Sequence, residues 1–188
     1  MTIEIRLSGS GGQGLQMSGR ILAEGLGVFE GRSVVQSSAY GGQVRGGSSR
    51  SDVLVSSSTE EVDFPEVMNA DILLAMTQEA VNDYSHLLKP QGLLIIDTTF
   101  VKNEPKKVGR IIGYPFTLYT KERLGSELPT NILILAVIAQ LGKLLAKESL
   151  LEAVKTISPK GKEELNMKAL YLGYELVESG DLKERSNP

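Results

Sequence analysis

The chain has 188 residues, 41% of them hydrophobic and 23% charged, with 20 Lys and Arg against 23 Asp and Glu, a net charge of −3, one histidine and no cysteine. At roughly 100–200 residues per domain this is a single domain, expected over residues 1–180 with a polar tail at 181–188. Without cysteine the chain cannot ligate an iron–sulfur cluster, form a disulfide or use a thiolate nucleophile, and its near balance of charge offers no basic field to nucleic acid.

Ile3, Ile5 and Leu7 alternate with polar residues, Ser8 to Gly14 is almost all glycine and serine, and residues 15–29 return with helical spacing, which reads as strand, tight loop and helix. Val34-Val35 predicts a second short strand and residues 52–56 a third, with the glycine-rich, apolar-poor segment 37–51 as a loop between them. Buried strands are predicted at 72–75, 93–97 and 110–113, with a helix over 78–88. After Pro129 the pattern is helical: residues 132–146, capped by Thr130 and Asn131, then 147–156 and 162–179, before a polar tail expected to fray.

Continuous apolar runs alternating with helices suggest strands covered on both faces, and the helix-free connection between the second and third strands suggests an antiparallel return. The expected fold is therefore α/β: a three-layer α/β/α Rossmann-like domain with a mostly parallel but mixed sheet and a helical C-terminal part. The longest apolar run, residues 132–139, is far below the ~20 residues of a membrane span. The N-terminus turns polar at Ser8 and has no signal-peptide core, so a cytoplasmic protein without membrane contact is expected.

Gly9-Ser10-Gly11-Gly12-Gln13-Gly14 is a G-x-G-x-x-G between a predicted strand and helix. Its glycines permit a sharp turn and close approach to the amides, and the helix N-terminus offers unpaired N–H groups and a positive dipole end to an anion such as a phosphate. A tight turn with no ligand satisfies the same pattern. A dinucleotide would need an acidic residue at the end of the second strand, where the chain reads Val34-Val35-Gln36-Ser37-Ser38 with Glu30 ahead of it, and this counts against NAD. In the segment 40–50, Arg45 and Arg50 are the only charges; an arginine fork can hold a carboxylate or phosphate, and Tyr40 supplies a stacking face. A plain surface loop is the alternative there.

Pro129 and Thr130 are adequately explained as a helix start, and His86 as a helix-end or surface histidine. Asp97, at a strand end, reads as a cap for the Thr98-Thr99 turn. No pair of carboxylates, no Ser–His pair and no His-rich metal set emerges, so neither a catalytic nor a metal-ligating residue is expected.

Residues 9–14, the helix after them, Tyr40-Gly41 with Val44-Arg45-Gly46-Gly47 and a following strand, and Pro129-Thr130-Asn131 before a long helix together resemble the gamma subunit of 2-oxoacid:ferredoxin oxidoreductases, over roughly residues 3–175. The resemblance implies a multi-subunit enzyme that decarboxylates a 2-oxoacid on thiamine diphosphate, passes electrons through iron–sulfur clusters to ferredoxin and releases an acyl-coenzyme A. It places thiamine diphosphate and the clusters on partner subunits, alpha and beta with or without a delta, with ferredoxin met through the complex. It leaves coenzyme A as co-substrate and the isolated chain inactive.

The gamma domain is thereby expected to flank the active site and help handle coenzyme A through Gly9, Gly11, Gly12, Gln13, Gly14, Tyr40, Arg45, Gly46, Gly47, Thr130 and Asn131. Many 2-oxoglutarate and branched-chain members read Tyr-Gly-Pro-acid-x-Arg-Gly-Gly in this loop. Here Gly42-Gln43 replace the proline and acid while Arg45-Gly46-Gly47 match; the pyruvate type's paired arginines and Gly-Ala-Pro are absent, so the expected 2-oxoacid is 2-oxoglutarate. Two other readings stay open, a stand-alone Rossmann-type oxidoreductase holding NAD(P) or a flavin, and a non-catalytic interaction module. Large apolar helices also make a homodimer of the isolated chain an expectation.

Overall fold

The alternating N-terminal residues form β1 (Thr2–Ser10), and the glycine loop leads into α1 (Leu15–Glu24), which continues through one π-helical turn, Gly25–Phe29. This computed structural model describes residues 2–41, 47–56, 65–106 and 108–187. Next come β2 (Ser33–Tyr40) and β3 (Ser48–Ser56), an antiparallel pair in register from Ser33↔Ser56 to Tyr40↔Ser49.

Most of the segment expected to be a loop is therefore strand. Its serines sit where small side chains are required: Gln36 Nε2 donates to Ser51 Oγ (2.9 Å), Ser51 Oγ donates to the Ser37 carbonyl (3.2 Å), and Gly19 of α1 comes so close that a Cβ there would strike Ser51. A helix lying that near a sheet needs glycine against serine, a demand that hydropathy does not register.

The chain continues through β4 (Ala70–Ala75), α2 (Gln78–Tyr84) with a 3-10 turn that carries an exposed His86, β5 (Leu88–Asp97) and β6 (Val108–Tyr114). It then forms α3 (Phe116–Leu124), α4 (Thr130–Leu141), α5 (Lys147–Ile157), α6 (Glu163–Glu178) and β7 (Glu184–Asn187). The helix α3 has no counterpart in the sequence reading. Its threonines and aromatics are weak helix formers, and it is held instead at its ends, by the Asp97 carboxylate accepting the Thr117 N–H (3.1 Å) and by Gly125 in the left-handed region at φ +71°.

The sheet order is β2-β3-β1-β4-β5-β6-β7, with β1, β4, β5 and β6 mutually parallel and antiparallel pairings at β2–β3, β3–β1 and β6–β7. One face packs Ile5, Leu7, Val53, Leu74, Ile95 and Ile112 against α1, α4, α5 and α6. The other packs Leu54, Leu73, Leu94, Ile96 and Ile111 under Ala80 and Val81 of α2, with Val67 and Val101. The three-layer, mixed α/β fold is the expected one. Residues 130–139 of α4 are all buried, as its apolar residues on every face require. No helix among the described residues is long and apolar enough to cross a membrane.

The tail corrects another expectation. Rather than fraying, Glu184–Asn187 pair with β6, and Arg110 donates to both Glu184 oxygens at 2.7 and 2.9 Å, while Arg185 pairs with Glu104. Hydrogen bonding and charge attraction from Arg110 hold the Glu184 carboxyl below its ordinary value. A carboxylate depressed in the folded state stabilises above its unfolded pKa and stops doing so as pH falls through the folded one. Amide protection factors over β7 are expected to fall as pH is lowered below about 4, and Arg110→Ala to remove that dependence. Protection of β7 that ignores both changes would show that the backbone ladder alone holds it.

Candidate functional site

β1 delivers Gly9 and Ser10 to the C-terminal edge of the parallel strands, where ligands gather in such sheets. The loop beyond is closed by its own glutamine: Gln13 Oε1 accepts the Ser10 N–H (2.7 Å), and the Gln13 N–H donates to the Ser10 carbonyl (3.2 Å). Gly9 has to be glycine because a Cβ would strike Gln13 Oε1. Gly14, at φ +74°, is the residue before α1, whose first-turn amides have no intrahelical acceptor. Gly12, at φ +95°, faces open space.

Two residues near Pro129 behave differently from expectation. Neither Thr130 nor Asn131 caps α4; Pro129 holds the cap position without a side-chain bond, and Thr130 Oγ1 donates to the Glu127 carbonyl (2.7 Å). Asn131 is buried, and its Nδ2 donates to the Gly14 carbonyl (3.1 Å) and to Ser18 Oγ (3.0 Å). It staples α4 to the glycine loop. Its Oδ1 is buried without a partner among the described residues.

The second glycine segment is joined to the first. Register Ser10↔Ser48 brings Gly47 beside the loop, and its carbonyl accepts the Gly11 N–H (2.9 Å). Gly46, Arg45, Val44, Gln43 and Gly42 lie outside the described residues. Tyr40, exposed opposite Ser49, lines a separate depression with Gly41, Ser48, Arg50 and Tyr84. Arg50 is already engaged there, at 2.5 Å from Glu66. Burial opposes its charge, but the carboxylates of Asp52 and Glu66 prevail and hold its pKa raised.

Gly12, Gln13 and Thr130 share a small cleft of about 100 Å³, open to solvent, with Met76, Phe100, Thr117, Glu127 and Leu128. The sequence alone does not single out Met76, Phe100, Thr117 or Glu127. Met76, directly after β4, is findable only as a parallel-strand end; Phe100 and Leu128 come from connections and Thr117 from the start of α3, all placed by packing. Asp97 does act as a cap: its Oδ1 accepts the Thr99 N–H (3.0 Å) and its Oδ2 the Thr117 N–H and hydroxyl, so the buried carboxylate is fully occupied.

The cleft therefore offers backbone donors, hydroxyls and apolar walls, with Glu127 as the one charged side chain among the described residues that line it. Among the described residues no group of three His, Asp or Glu side chains gathers as a metal site. Such a surface binds and orients. The dinucleotide reading fares poorly, since the strand beside β1 at its C-terminal end is antiparallel β3, presenting Ser48 and Ser49 rather than an acidic residue.

Comparison with known proteins converges. Residues 4–176 match the family model described as pyruvate ferredoxin/flavodoxin oxidoreductase. The chain is 35% identical to the 2-oxoglutarate synthase subunit KorC of Methanocaldococcus jannaschii, over 94% of this chain and 95% of that one. It superposes on the crystal structure of the keto/oxoacid ferredoxin oxidoreductase gamma subunit from Geobacter sulfurreducens with TM-score 0.83 and 36% identity, covering 97% and 99% of the two chains. It is also 32% identical to the ketoisovalerate oxidoreductase subunit VorA of Methanothermobacter marburgensis over 91% of this chain but 36% of that longer one.

Proposed function

The chain belongs to the pyruvate ferredoxin/flavodoxin oxidoreductase family, and from that premise we propose that it is the gamma subunit of a 2-oxoglutarate:ferredoxin oxidoreductase complex. The observation that carries this reading is the 35% identity, nearly end to end in both chains, with a 2-oxoglutarate synthase subunit. The complex converts a 2-oxoacid and coenzyme A to carbon dioxide and an acyl-coenzyme A, and two electrons pass to ferredoxin. Iron–sulfur clusters need cysteine thiolates, which this chain lacks. Membership of the family, not the lack of cysteine, is what supports placing the clusters and thiamine diphosphate on the alpha and beta subunits, with or without a delta.

This chain's own part is to bind. The amides of the loop Gly11 to Gly14 and the first turn of α1 present donors and a positive dipole end toward a phosphate of coenzyme A. Open space at Gly12 supports that role. Asn131 and Gln13 position the loop, and Tyr40 and Arg45 are assigned to meeting the thiol on the strength of the family motif they carry. The test is made in the assembled enzyme, isolated through a tag on this chain after co-expression with its neighbouring reading frames. Activity is read as 2-oxoglutarate- and coenzyme A-dependent reduction of a viologen dye.

Arg45→Ala is expected to raise the coenzyme A concentration for half-maximal rate about tenfold, the loss of one charge-assisted hydrogen bond. Decarboxylation measured without coenzyme A should be unaffected. An unchanged coenzyme A dependence removes Arg45 from the site, and a colourless chain that recovers no partners removes the subunit assignment.

A further inference from the structure

A sheet edge presents a row of backbone donors and acceptors that another strand can take up, and proteins blunt such edges with short strands, charges, prolines or bulges. The two edges of this sheet are built differently. β7 is four residues long and carries Glu184 and Arg185. β2 is eight residues long, keeps unbroken register with β3 and contains no charge, no proline and no glycine. Among the described residues nothing pairs with its outer side.

The outward groups follow from the ladder. The Gly41 N–H donates to the Ser48 carbonyl (2.7 Å), so alternate residues from Ser33 to Ala39 turn their N–H and C=O toward β3, and Val34, Gln36, Ser38 and Tyr40 turn theirs outward. The side chains of these four share one face, the α1 face, because they stand opposite Val55, Val53, Ser51 and Ser49. Exposed apolar groups flank that face at both ends. Val28 (66% exposed) and Phe29 (41%) lie beside its start, where a Cβ on Gly27 would sit 3.8 Å from Val34 Cγ2, and Tyr40 (70%) closes the other end. The nearest charges are turned away: Glu30 accepts the Ala146 N–H (2.6 Å) and Arg32 donates to the Leu144 carbonyl (2.9 Å).

We propose that β2 is the pairing edge for a second copy of this chain, the two β2 strands running antiparallel about a two-fold axis at Ser37. In that register Val34 meets Tyr40 of the second copy and Gln36 meets its Ser38, so all four outward residues of each copy fall into hydrogen-bonded pairs. Opposed side chains share a face, so the exposed Tyr40 ring of one copy comes to Val34, Val28 and Phe29 of the other, and the two-fold repeats the contact. This match of one end of the strand to the other is what favours a second copy, since an unrelated strand would find the amides but not the apolar contacts. The long apolar helix α4 is buried within the domain, so the edge and not the helices is what a dimer uses. Pairing engages the Tyr40 ring, and it belongs to the chain apart from its partner subunits; it does not depend on the gamma-subunit reading.

The test is light scattering on the purified full-length chain over a dilution series. Wild type should have twice the mass of one chain at high concentration and dissociate on dilution. Ser38→Pro deletes an outward N–H while leaving the bonds to β3, the placement at which an edge strand tolerates proline. Each copy loses one hydrogen bond to the other, and the dissociation constant should rise about 10- to 100-fold. Val28→Asp/Phe29→Asp changes no strand residue and should weaken the pair at least as much, with circular dichroism unaltered; it decides the matter by itself if the proline variant fails to fold. Leu118→Asp, an equally exposed leucine on α3, should leave the dimer as it is. A wild-type chain that is monomeric at every concentration overturns the proposal, and if Ser38→Pro then abolishes recovery of partner subunits by the tagged, co-expressed chain, the edge belongs to a strand of another subunit. A dimer that keeps wild-type affinity in Val28→Asp/Phe29→Asp, or that Leu118→Asp dissociates, places the contact elsewhere and overturns it too.

Discussion

Asp52→Ala is expected to cost about 3–5 kcal/mol of folding stability, the range for removing one partner of a buried ion pair. Arg6 on β1 and Asp52 on β3 face each other in register, and both side chains are 2% exposed. Arg6 Nε donates to Oδ1 at 2.8 Å and Nη2 to Oδ2 at 2.6 Å; Nη2 also reaches the Val67 carbonyl, and the Val67 N–H donates to Oδ2. The Tyr84 ring covers the guanidinium at 4.8 Å. With Asp52 gone, the guanidinium is left between sheet and α2 with, among the described residues, the Val67 carbonyl and the part-exposed Glu66 at 3.6 Å to offset it.

At about 2–4 °C per kcal/mol for a chain of this size, the melting temperature should fall by about 10 °C. Arg6→Met/Asp52→Leu, which removes both charges and keeps the volume, should restore most of the loss. A single Asp52→Ala variant that melts within a degree or two of wild type would show that Glu66 rotates in to replace it.

Gly14→Ala should destabilise by about 3 kcal/mol, from two sources that can be separated. The first is backbone: an L-residue at φ +74° costs roughly 1–2 kcal/mol. The second is contact, because the new Cβ would lie 2.6 Å from Asn131 Nδ2, which must then release the Gly14 carbonyl and Ser18 Oγ. Leaving such buried groups unpaired costs about 1–3 kcal/mol. Gly12→Ala isolates the backbone part, since Gly12 has φ +95° and nothing within 4 Å of its Cβ position. Its expected cost is about 1–2 kcal/mol. In an Asn131→Ala background, the penalty of Gly14→Ala should shrink toward the Gly12 value. Thermal melts of the four variants decide it, and equal losses at Gly12 and Gly14 would mean that Asn131 yields without cost.

Features set by neighbours along the chain were legible in its sequence. Apolar runs at 72–75, 93–97 and 110–113 are buried strands because each run is long enough to be covered on both faces. The G-x-G-x-x-G at 9–14 is the strand-to-helix turn it resembles, since two of its glycines occupy φ values that other residues avoid. The family was legible too, because its motifs are short strings.

What tertiary structure decided is what depends on partners distant in sequence. Ser51 is a strand residue because α1 packs Gly19 against it. Asn131 is a staple rather than a cap because α4 runs beside a loop 117 residues earlier. The helix α3 begins where it does because Asp97, at the end of β5, accepts the Thr117 N–H and hydroxyl. The cleft takes its walls from the end of β4, the turn after β5, the start of α3 and the segment ahead of α4. Periodicity and propensity sum over a window of about a dozen residues, whereas a hydrogen bond or a close approach is settled by which elements the whole fold sets side by side.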